Sequence, residues 1–173
     1  MNLRQALLSE HSKEQCRSIV NWVGKSQKRF DDLFSLFLSN EYRLVQRAAW
    51  PVSYCVETHP SLIHKHYGNL IKRLQEPGIH DAVKRNSTRL LQHVSIPVEW
   101  QGEIMNICFE YVASPAEAIA VKAFSLTVLG NLAKVYPEII PELKLVIEEQ
   151  FEGQSPAFKS RAKKILAELK AAQ

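Results

Sequence analysis

Apolar residues recur along this chain at steps of three and four, in stretches separated by prolines, glycines and serine pairs. From Pro60 to Glu76 the series is Leu62, Ile63, Tyr67, Leu70, Ile71 and Leu74. That spacing places one apolar stripe on one face of a helix. Pro77-Gly78 ends it, and a second stripe of Val83, Ser87, Leu90, Leu91 and Val94 starts near His80-Asp81 and stops at Ser95-Ile96-Pro97. Pro60 and Pro97 suit first-turn positions, where the missing N–H leaves no bond unmade. The same pattern predicts helices over Gln27–Leu38 and Tyr42–Glu57, Val98–Ala113 and Glu117–Val135, and Glu138–Phe151 and Ala157–Lys170. Ahead of them, Ser12-Lys13-Glu14-Gln15 is a capping-box pattern opening a helix through Ile19, Val20 and Val23, stopped by Gly24. Met1 to Ser9 reads as a short leading helix. No segment alternates as a strand does, so the predicted class is all-α.

The helices repeat in pairs at a spacing of 38 residues. Val45, Val83, Val121 and Lys159 share one column, and Arg47, Arg85, Ala123 and Arg161 share another two positions on. Ala49, Ser87, Ser125 and Lys163 form a third, Val52, Leu90, Val128 and Leu166 a fourth, and Leu33, Ile71, Phe109 and Ile147 a fifth. Turn residues recur in phase at Ser39-Asn40, Pro77-Gly78, Ser114-Pro115 and Gly153 with Ser155-Pro156. The units are approximately 26–58, 59–96, 97–136 and 137–173, with residues 1–25 as capping helices of one domain spanning 1–173. A single pair cannot bury its own stripe, so neighbours must stack and share a core.

The second helix of each unit carries an acid, a Val-Arg pair and small residues. These are Glu41 with Val45, Arg47, Ala48 and Ala49; Asp81 with Val83, Lys84, Arg85 and Ser87; and Glu117 with Val121, Lys122 and Ala123. Lys159, Arg161 and Ala162 follow without the acid. This resembles HEAT repeats, with armadillo repeats close behind, over residues 26–171. The resemblance implies a right-handed α-α superhelix with first helices on the convex side and second helices on the concave side. It implies no particular ligand.

At 173 residues and 46% hydrophobic the chain can fold without a metal or disulfide. Cys16, Cys55 and Cys108 form no CxxC pair and sit among apolar residues, as free core thiols do in a reducing compartment. No signal peptide or membrane span is evident, and the expected location is the cytoplasm. His64 and His66 point to different sides of a helix and His11, His59, His80 and His93 are scattered, so no metal site is expected. GxSxG, GxGxxG and P-loop signatures are absent, so neither a cofactor nor catalysis is expected.

The net charge of +4, with pI near 9.0, permits an anionic partner without requiring one. Arg43, Arg47, Trp50, Tyr54 and Glu57 follow at helical steps beside the buried stripe of their helix. Asp81, Lys84, Arg85, Thr88, Arg89, Gln92 and Ser95 occupy the next helix, and Lys122 the one after. On a HEAT array these meet on the concave surface, with Trp50 and Tyr54 framed by cations. The later first helices are acidic, so the back would be negative and the inner curve basic. Arg47 and Arg85 have two readings: a ladder pairing with acids of neighbouring units, which leads, and ligand contact. Lys163 and Lys164 read as a solvated face. Pro51, inside a predicted helix, costs on the order of 3 kcal/mol unless the helix bends. The bend either sets curvature or tilts Trp50 into the groove.

These features favour a non-enzymatic scaffold that binds a protein or peptide partner, an acidic segment above all, on its concave face. The alternative is nucleic-acid binding of the HEAT-like DNA glycosylase kind, with Trp50, Asp81, Arg85 and Arg89 in those parts. All-helical lyases of the fumarase type are excluded by the missing signature loop. The expected assembly is a monomer, or a weak homodimer through Met1, Leu3, Leu7 and Leu8 at one end and Leu166 and Leu169 at the other.

Overall fold

In the computed structural model, residues 1–171 are described. Their regular elements are all helices, with no strand among the described residues. The helices are α1 (Leu3–Ser9), α2 (Lys13–Val23), α3 (Gln27–Phe37), α4 (Tyr42–Thr58), α5 (Tyr67–Leu74), α6 (Asp81–Leu91), α7 (Val98–Ala113), α8 (Ile119–Ala133), α9 (Ile140–Phe151) and α10 (Pro156–Ala171). The chain divides into two compact units, Met1–Ser95 and Ile96–Gln173, parted where the third repeat begins.

In the first unit, α4 packs against its partner α3 and lies between α2 and α6, so second helices form a row. Phe30, Leu33, Phe34 and Phe37 of α3 and Leu44, Val45, Ala48, Ala49, Val52 and Val56 of α4 fill the interior. Ser12 and Ser26 accept from the backbone N–H of Gln15 and Arg29, capping α2 and α3 as their side chains allow. Gly24 ends α2 at φ 50, a conformation open to glycine at little cost.

The predicted helix over Pro60–Glu76 is not uniform. Pro60–His66 winds as a 3₁₀ segment before α5 begins. The α3 helix pulls on this stretch: Gln27 Nε2 donates to the Leu62 carbonyl at 3.0 Å, while Asp31 holds Lys65 Nζ at 2.5 Å and His66 Nε2 at 2.7 Å. A short 3₁₀ turn, Pro137–Ile139, likewise precedes α9.

In the second unit, α8 packs against α7 and α10. The 38-residue period holds through α8, where Val121, Ser125 and Val128 are buried like Val45, Ala49 and Val52. It fails in α10. There the buried positions are Phe158, Ala162, Ile165 and Leu169, each of the first three lying one residue before the Lys159, Lys163 and Leu166 of the period. The loop before α10 has four residues, 152–155, where the previous unit uses five, 114–118. The helix starts one residue early and its buried face shifts by one position. Lys159 instead rides over the Phe151 ring, with Nζ 5.3 Å from its centroid, and donates to the Glu152 carbonyl.

Candidate functional site

The row of second helices in the first unit leaves a cavity of about 310 Å³ between α2 and α4. Lys13, Cys16, Arg17, Val20 and Asn21 line it from α2, and Trp50, Tyr54 and Thr58 from α4. The α4 residues share a face because they stand four apart along the helix. The Trp50 and Tyr54 rings are both half-buried, 5.9 Å apart and tilted by 44°. His11 stands 6.2 Å from Trp50.

Cations surround this pair. The Arg89 guanidinium of α6 lies 4.6 Å from the Tyr54 ring centroid, within cation–π range. Its only carboxylate neighbour among the described residues is Glu57, at 3.7 Å. Hydrogen bonding from Arg89, and then from Trp50, lowers the Tyr54 phenol from its ordinary value against the opposing effect of burial. Lys13 and Arg17 are exposed on one face of α2, and no carboxylate among the described residues pairs with either. Burial pushes the Cys16 thiol up to about 11, so the floor of the cavity is a neutral, apolar group.

The predicted surface residues do not all gather here. Trp50, Tyr54 and Arg89 do, whereas Arg43 and Arg85 are simply exposed. Arg47 turns away from any acid: its Nη1 donates to the Leu7 and Leu8 carbonyls at 3.0 and 2.6 Å, covering the open end of α1. The short leading helix ends within reach of α4, and its last carbonyls need donors. Arg161 makes the corresponding backward reach to Thr127 Oγ1 at 2.7 Å. Of the acid ladder expected at Arg47 and Arg85, Arg47 is instead an arginine donating to neutral carbonyls.

Thr88 and Lys122 are not surface residues. Thr88 is fully buried, donating to the Lys84 carbonyl. Lys122 in the second unit is 1% exposed, with Nζ donating to Gln150 Oε1 at 2.6 Å. Its stem follows the buried side of α8, and desolvation lowers its pKa. Gln92 bonds the Arg89 carbonyl at the end of α6. Asp81 belongs to a different hollow of about 350 Å³, lined also by Ser39, Asn40, Tyr42, Arg73 and His80. Pro51 is buried within α4, which runs unbroken from Tyr42 to Thr58. The residues that sequence reasoning missed are those of α2. Their signal was the Lys13/Arg17 pair at i, i+4 on a helix taken for a cap.

Charge divides with the units. Residues 1–95 carry 14 Lys and Arg against 8 Asp and Glu, a net +6, while residues 96–173 carry 8 against 10, a net −2. All of the excess positive charge sits on the unit holding the cavity.

The paired helices, the stacked second helices and the recurring buried columns agree with one comparison: a sequence description of the HEAT repeat domain matches residues 3–169. The chain belongs to the HEAT repeat domain family. No curated protein and no solved structure matches it significantly. HEAT repeat domains serve in general as helical scaffolds for protein interaction. No helix among the described residues is long and apolar enough to cross a membrane.

Proposed function

We propose that this HEAT repeat protein is a non-enzymatic scaffold whose first unit docks an acidic segment of a partner protein along the row α2, α4 and α6. The observation that carries this reading is the cavity walled by Trp50 and Tyr54 and rimmed by Lys13 and Arg17, with Arg89 over the Tyr54 ring. Aromatic rings supply contact area at little entropic cost, and cations attract and orient carboxylates. The net +6 of the unit raises the local concentration of an acidic ligand. Arg43, Lys84 and Arg85 would extend contact along the segment, while Arg47 holds the scaffold itself together.

The test is affinity capture of partners by the whole protein, repeated with Trp50→Ala and with Arg17→Glu/Arg85→Glu. Loss of a specific partner by folded variants supports the reading. Retention of every partner by both variants excludes this face. The nucleic-acid alternative is checked by titrating duplex and single-stranded DNA. Phosphate-dominated binding must fall steeply with salt, and tight, salt-sensitive DNA binding lost in Arg17→Glu would replace the peptide reading.

A further inference from the structure

Resting on that reading, we infer that the cavity between α2 and α4 takes a single aromatic side chain of the acidic segment, with carboxylates on either side of it reaching Lys13 and Arg17 on one rim and Arg89 on the other. The argument starts with what the cavity can hold. At about 310 Å³ it stands at the small end of ligand pockets, room for one large side chain and not for a folded surface. Its lining joins Cys16, kept neutral by burial, Val20 and two tilted rings to the uncharged Asn21 and Thr58. An inserted ring gains an offset or edge contact with Trp50 or Tyr54.

The rim then decides the neighbours. Lys13 and Arg17 stand one helical turn apart, so two carboxylates flanking an anchor on an extended peptide can meet them or Arg89 without the anchor leaving its recess. Arg89 lies over Tyr54, 4.6 Å from its centroid, and its pair with Glu57 is loose at 3.7 Å, so an incoming carboxylate can share its guanidinium. A cationic anchor is rejected by the same three charges, although rings alone would welcome it. A carboxylate inserted into the recess itself would lose hydration against Cys16 and Val20.

The experiment uses the full-length protein and three labelled pentapeptides: Asp-Glu-Phe-Asp-Glu, the same with Ala for Phe, and Lys-Lys-Phe-Lys-Lys. Fluorescence anisotropy gives affinity, and circular dichroism verifies each variant's fold. The expected result is that the Phe peptide binds about tenfold more tightly than the Ala peptide, with no binding of the basic one. Val20→Trp, which fills the recess from a half-exposed position, should erase that difference and leave the Ala peptide's affinity unchanged. Lys13→Glu/Arg17→Glu should weaken both acidic peptides. Equal affinity of the two acidic peptides overturns the anchor while leaving the acidic-segment reading intact. Binding of neither acidic peptide overturns both. A Phe preference that survives Val20→Trp places the anchor elsewhere and overturns this inference.

Discussion

Individual side chains carry the clearest consequences of folding in this protein. His80 caps α6 by accepting the Ala82 N–H on Nδ1 at 2.9 Å, which requires an unprotonated nitrogen there. Burial, only partly offset by Asp81, lowers its pKa below 6.5. A depressed folded value means that the stability it contributes is complete above the unfolded pKa and is lost as pH falls through the folded one. Thermal melts between about pH 7.5 and pH 5 should therefore show a decline that His80→Asn reduces, because asparagine caps without titrating. Lys122 is the opposite case, a buried ammonium whose oxygen partner is the neutral Gln150 amide. Lys122→Met should be neutral or stabilising by up to about 1 kcal/mol. Gln150→Ala should cost about 1–3 kcal/mol, since it also strips the Val112 carbonyl of its donor. Urea denaturation measures both.

Helices come next, and the α8–α10 contact is the most demanding. A Cβ at Gly130 would stand 2.9 Å from Cγ2 of the buried Ile165, so only glycine lets the two helices approach this closely. Gly130→Ala improves helix propensity by about 1 kcal/mol, yet overpacking costs about 1–3 kcal/mol. Net destabilisation is expected, and the double variant Gly130→Ala/Ile165→Ala should lose less than the sum of the singles. The shifted register of α10 makes a further expectation. Phe158→Ala should cost about 3–5 kcal/mol, as a fully buried ring does, whereas Lys159→Ala, at the position the period marks as core, should cost less than about 1 kcal/mol. The reverse ranking would restore the strict repeat.

On the scale of the whole molecule, positive charge is concentrated in the first unit. If the first unit receives an acidic segment, affinity should drop several-fold as salt rises from about 50 to about 250 mM, mostly through a slower on-rate. Stopped-flow mixing at several ionic strengths measures this. A salt-independent on-rate would show that the positive charge of residues 1–95 plays no part in recognition.

Helix count, helix pairing and the face buried by most helices, α10 excepted, were legible in the order of residues, because the period of an apolar stripe is a local property of the chain. Ser12 and Gly24 announced helix ends for the same reason: a cap is satisfied within three or four residues. The 38-residue grammar likewise placed Val45, Val83 and Val121 in equivalent environments before any coordinates existed. What the chain order left open was every contact between residues distant along it. Whether Arg47 meets a carboxylate or the end of α1, whether Lys122 points outward or lies beneath Gln150, and that α2 completes a recess with Trp50 all depend on how neighbouring helices abut. The last helix buries the positions one residue before its columns, since a helix rotates about 100° per residue and its neighbours, not its column in a repeat, choose the side that is buried.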